Sequence, residues 1–236
     1  MAGLLLVVVL AVVGVLVRMG RPGGSGAIRF QAGDVAAVFA NRRAWAYFLG
    51  YTAHMWELFS LRAWMVVFLD YSRQLQAAAE GVISPTQVVA LINMIGLPVS
   101  IGGNELCRLY GRRRTLTWIM LTSFALSLAV GFSAALPYGI VVGIALIYGV
   151  FVLGDSASLT AGAVSHAPPD RRGATLAVHS TLGFGAAFLG PLGVGVMLDA
   201  FSARPGLGWG FSFALMGGVC ALGPLVLHRL LPDENA

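Results

Sequence analysis

Residues 138–161 form an apolar stretch with a single formal charge, Asp155. Six further segments of similar character lie at about 3–17, 45–69, 85–103, 115–134, 174–198 and 209–229. A run of about 20 apolar residues is long enough to cross the hydrocarbon core of a bilayer as an α-helix. In that solvent every backbone polar group must be satisfied internally, which leaves helices and closed barrels as the only spanning structures. The expected fold class is an all-α membrane protein with seven transmembrane helices. Charge content agrees: 11% of the residues are charged, against roughly a quarter in a soluble domain, too few to cover a water-facing surface.

The segment boundaries carry helix signals. Ser84-Pro85-Thr86-Gln87 has the form of a capping box with proline in the first turn. Trp45, Trp118 and Trp209 fall near span ends, where an interfacial aromatic belt is expected. Arginine then sets the orientation. Arg18, Arg21, Arg29, Arg42 and Arg43 follow the first span, Arg73 the second, Arg108 and Arg112–Arg114 the third, Arg171 and Arg172 the fifth, Arg204 the sixth and Arg229 the seventh. The richer loops alternate, and the positive-inside bias places the amino terminus outside and the carboxyl terminus inside. The first apolar run has no basic residue before it, the reverse of a secretory signal, and reads as a chain that has lost what preceded it or as a reversed first anchor. Gly20-Arg21-Pro22-Gly23-Gly24-Ser25-Gly26 has the composition of a flexible linker, after which Asp34 is placed to cap a short helix over Val35–Arg43. The expected organisation is a single transmembrane helix over 1–19, a cytoplasmic linker with an amphipathic helix over 20–43, and a six-helix bundle over 44–236.

The net charge of +5 does not point to nucleic acid, because the arginines are spent on loops between spans and no basic face remains. The two cysteines, Cys107 and Cys220, supply neither a disulfide framework nor metal-ligand spacing. No cofactor or metal is expected.

The loop after the third span reads Gly103-Asn104-Glu105-Leu106-Cys107-Arg108-Leu109-Tyr110-Gly111-Arg112-Arg113-Arg114. It resembles the short cytoplasmic loop of major facilitator superfamily transporters, G-x-x-x-D-R-x-G-R-R, through Gly103, Arg108, Gly111, Arg112 and Arg113. It departs at Cys107, where an acidic residue is usual, and by one extra residue between Arg108 and Gly111. Gly183–Gly195, with Gly190-Pro191-Leu192-Gly193, is similar to the glycine-proline pattern of the fifth helix in facilitator antiporters, and close helix packing accounts for it as well. The resemblance implies two six-helix repeats joined by a cytoplasmic linker, of which this chain represents the sixth helix onward. It also implies that the third and sixth helices of the half face lipid while the others border a cavity.

Ionisable residues inside spans are costly and mark functional candidates. His54 and Glu57 are three residues apart on the second span, on one helix face, and a carboxyl near the bilayer midplane is a candidate for binding and releasing a proton. Arg62 is a candidate to meet an anionic solute or to pair with a neighbouring carboxylate. Asn93 and Gln87 are polar candidates for the cavity wall. Asp155 and His179, at similar depth on consecutive spans, are placed to touch near an inner gate. Trp56, Phe59 and Trp64 give the second span an aromatic surface.

The expected function is transport of a small solute by alternating access, proton-coupled or exchanging, with an amino-terminal six-helix half as partner and the bilayer as environment. A bacterial inner membrane is expected, from arginine used to the exclusion of lysine. A truncated half without activity of its own remains the alternative. An intramembrane serine protease using Ser156 with His179 is a remote one, since the context Val178-His179-Ser180-Thr181-Leu182-Gly183 differs from that of rhomboid enzymes. The chain is not expected to be an enzyme. A retinal protein is excluded, because no lysine is present for the Schiff base.

Overall fold

The computed structural model describes residues 32–76 and 83–231. The first apolar run, the glycine-rich linker and Arg18, Arg21 and Arg29 lie outside the described residues. All regular elements within them are helical: α1 Ala32–Phe39, α2 Arg42–Gln74, α3 Pro85–Tyr110, α4 Arg112–Gly131, α5 Tyr138–Gly154, α6 Ser156–Ser165, a 3₁₀ turn Pro169–Arg171, α7 Arg172–Ala200, α8 Pro205–Cys220 and α9 Leu222–Leu230. Five stretches are long and apolar enough to cross a membrane: α3, α4, α5 with α6, the 3₁₀ turn with α7, and α8 with α9. The second expected span, α2, has 33 residues, about 50 Å at 1.5 Å per residue. Its interior carries His54, Glu57 and Arg62, and its apolar character is diluted accordingly.

Local chemistry fixes most of the boundaries. Before α3 the capping box forms in full: Gln87 N–H donates to Ser84 Oγ at 3.3 Å and Ser84 N–H to Gln87 Oε1 at 2.9 Å. Asn41 caps α2 by accepting from Ala44 N–H at 3.2 Å. That cap divides the expected Val35–Arg43 helix in two, so α1 ends at Phe39 and Arg42 and Arg43 open the long helix instead. α1 also begins at Ala32, before the Asp34 expected to cap it. Between α3 and α4 a single residue, Gly111, makes the corner at φ 86°, the one positive φ among the described residues. Such a corner suits glycine, since a Cβ there would crowd the following carbonyl. α8 gives way to α9 at Ala221 because Pro224 cannot donate to the Cys220 carbonyl four residues earlier.

α2 is the axis of the bundle, touching α3 and every helix from α5 to α9, most extensively α7. In a bilayer lipid is as apolar as leucine, so helices associate through close packing rather than hydrophobic burial. A Cβ on Gly190 would lie 2.6 Å from both the Trp56 carbonyl and Ser60 Oγ, and one on Gly193 would lie 3.0 Å from the Trp56 ring. The glycines around Pro191 thus serve close approach of α7 to α2, and Trp64 Nε1 donates to the Pro191 carbonyl at 2.9 Å across the same seam. Trp209, four residues after the start of α8 at Pro205, is buried, edge-on to Phe68 at 5.3 Å in an aromatic cluster with Phe213. The cluster holds its ring.

Candidate functional site

The polar side chains of α2 divide into a buried set and an exposed one. Glu57, 15 residues after Arg42 and so about 22 Å along the helix, is 1% exposed. Its Oε1 accepts from Ser123 Oγ of α4 at 3.0 Å and from the Tyr148 hydroxyl of α5 at 2.9 Å, and the Cys220 thiol of α8 is a further hydrogen-bond partner. A carboxyl taken from water needs such partners, and three neighbouring helices converge on α2 to provide them.

One turn earlier, His54 Nδ1 lies 2.7 Å from Asp155 Oδ1, with the side chains 0% and 2% exposed. Asp155 occupies the break between α5 and α6, where an aspartate ordinarily caps the following helix. It does not: no side-chain cap bond forms there. Ser100 Oγ of α3 instead accepts from Ala157 N–H at 3.2 Å, and Ser158 Oγ donates to Asn104 Oδ1 at 3.1 Å. With the freed helix terminus served by α3, the Asp155 carboxylate is left to His54. Gly103 makes the arrangement possible, since a Cβ there would run into the Gly154 carbonyl. The first glycine of the loop motif therefore brings α3 against the break.

Asp155 thus meets His54 rather than His179. His179 stacks on Tyr51, ring centroids 3.9 Å apart, and its Nε2 lies 3.3 Å from Thr160 Oγ1. Tyr51 also stacks with His54 at 5.7 Å, so the two imidazoles flank one phenol ring. Ser156 and His179 form no nucleophile–base pair.

Arg62 is exposed. Its Nε donates to Asn93 Oδ1 of α3 at 3.2 Å, and its guanidinium lies 5.4 Å from the Phe59 ring centroid. These residues line an open groove of ≈ 350 Å³ between α2, α3, the α5–α6 junction and α7, with Tyr51, Ser100, Ser156 and Phe184 among its walls. Of the residues expected at the cavity, Arg62 and Asn93 line this groove, while His54 and Glu57 lie behind it in the bundle. Gln87 is used in the α3 cap.

The loop motif sits at the end of the bundle where arginines gather. Arg108 grips Glu105 on its own helix through Nη2 at 2.6 Å, an exposed pair that adds little stability. Arg112 Nη1 lies 3.4 Å from Ser165 Oγ of α6, and Arg42 Nη2 donates to the Arg229 carbonyl at 3.2 Å. Cys107, in the place of the usual acidic residue, is buried among Leu116, Leu159 and their neighbours.

Sequence reading missed Tyr148, Ser123 and Cys220 as partners of Glu57, and Ser100 and Asn104 as supports of the break. A tyrosine or an asparagine inside an otherwise apolar run is the signal they offered; a serine gives almost none.

The family model described as Major Facilitator Superfamily matches residues 1–191 of the chain. Among curated proteins none matches it.

Proposed function

This chain belongs to the Major Facilitator Superfamily, whose members are multi-pass membrane transporters of small solutes, and we propose that it is the carboxyl-terminal half of a secondary transporter working by alternating access. The solute passes along the groove of α2, α3 and α7, facing an amino-terminal six-helix half on the same or a separate polypeptide. Transport is proton-coupled or an exchange.

The observation that carries this reading is the exposure of Arg62. It lies 20 residues after Arg42 and 12 before Gln74, about 30 and 18 Å from the two ends of α2. A guanidinium at that depth facing hydrocarbon is costly. The surface that bears it belongs against water or against a second half, which is how a solute path at a repeat interface is built. The hydrogen bond to Asn93 holds the group on the groove wall. Glu57, His54 and Asp155, buried one layer behind, are the groups placed to exchange protons with it. The arginines at the far end of the bundle favour the cytoplasm for that end, in an inner membrane, by the positive-inside bias.

Thiol labelling tests this. With Cys107 and Cys220 replaced by serine, Ser156→Cys on the groove should react with a membrane-impermeant maleimide in membranes containing the protein as the cell makes it. Leu121→Cys on α4, on the side expected to face lipid, should not. A truncated half whose groove is closed by lipid would leave both unreactive, and that result sinks the proposal.

A further inference from the structure

We propose that the groove beside Arg62 binds a monoanionic organic solute, a carboxylate carried on a flat apolar or aromatic body. This rests on the transport reading and specifies its substrate class.

The charge comes first. Arg62 is the only formally charged residue among those lining the groove. Its Nε is occupied by Asn93 Oδ1 at 3.2 Å, and Asn93 is itself anchored by Nδ2 donating to the Val89 carbonyl at 2.9 Å. Among the described residues no carboxylate pairs with Arg62, and its two Nη groups have no hydrogen-bond partner. The guanidinium is therefore fixed by its inner edge with its outer fork open, the geometry that takes a carboxylate through parallel N–H bonds.

The body is set by the walls. Phe59 lies under the guanidinium, and Phe184 of α7 stands edge-on to Phe59 with ring centroids 6.4 Å apart. Met55, Leu97 and Leu153 continue the apolar lining. A volume of ≈ 350 Å³ is at the lower end for ligand sites and suits a body of about one ring.

Other classes fit less well. A cation would meet Arg62 directly. A sugar needs many hydrogen-bond partners, and most of the lining, Met55, Leu58, Phe59, Gly96, Leu97, Leu153 and Phe184, has no side-chain polar group to offer. A dianion would leave its second charge beside phenylalanine, at a desolvation cost with nothing to offset it. Asn93 acts as a positioning residue, holding the fork without taking the solute's charge.

The test is equilibrium binding of radiolabelled benzoate to membranes containing the full chain, with benzamide as its neutral near-isostere. Benzoate should bind saturably, and benzamide should compete at least ~10-fold more weakly, the factor that one charge-assisted contact confers. Arg62→Gln should abolish benzoate binding while leaving thermal stability unchanged, since the side chain is exposed. Arg62→Lys should retain weakened binding, having the charge without the fork. Absence of saturable benzoate binding, equal competition by benzamide, or binding that survives Arg62→Gln would each overturn the proposal. Labelling of Ser156→Cys in the same membranes separates the two levels: a groove that labels but ignores benzoate refutes the substrate class alone, whereas an unlabelled groove refutes the transport reading beneath it.

Discussion

Two carboxyls buried in one bundle are held in different ways, and their substitutions should differ accordingly. Asp155 has His54 as its partner at 2.7 Å, and removing one member of a buried pair leaves the other desolvated and alone. Asp155→Ala is expected to cost about 3–5 kcal/mol, seen as a lowered unfolding midpoint in detergent. The double variant Asp155→Ala/His54→Leu should recover part of that loss, and a single variant as stable as the parent would mean that the pair does not form. Glu57 instead accepts hydroxyl bonds from Ser123 and Tyr148. Glu57→Gln keeps an acceptor oxygen and should fold, but it can no longer release a proton. In the complete transporter it should flatten the pH dependence of uptake; an unchanged pH profile would remove Glu57 from any coupling role. Both residues were visible in the sequence as charges inside apolar runs. Their partners were not, because His54 and Asp155 lie far apart in the chain and carry no local signal, and the pairing expected was the nearer one of Asp155 with His179.

Helix packing here depends on where the backbones touch, and neighbouring glycines illustrate it. A Cβ on Gly103 would collide with the Gly154 carbonyl, whereas one on Gly102 meets nothing within 4 Å. Gly103→Ala should therefore push α3 off the α5–α6 break and destabilise the protein by about 1–3 kcal/mol, as overpacking does. Gly102→Ala should be neutral or slightly stabilising, since alanine is the better helix former. Equal thermal stability of the two variants would contradict the close contact. Helix existence and approximate bounds were legible, since apolar length and the Ser84–Gln87 cap are local properties of the chain. The breaks at Asp155 and Ala221 were not anticipated. A helix that ends inside an apolar run is decided by what stands beside it, here Ser100 and Asn104 on α3, and by the reach of Pro224 back to Cys220. α1 came out shorter than expected because Asn41 took the cap of α2 and, with its Nδ2, the His166 carbonyl at 2.7 Å.

At the scale of the whole molecule, the bundle has a buried polar interior around Glu57 and an open groove whose polar wall is Arg62 with Asn93. Apolar length alone gave a membrane protein, and the loop motif gave the family. The separation of α2's polar residues into interior and groove followed only from the packing of α2 against α3 and α7, with the α7 approach set at the Gly190 contact. Alternating access requires that this one groove be reached from each side of the membrane in turn. The most direct measurement is therefore the reactivity of Ser156→Cys toward an impermeant maleimide added to right-side-out and then to inside-out vesicles. The account predicts labelling from both faces, with the Leu121→Cys control silent in each. Labelling from neither face, or from one face only under every condition, would contradict it.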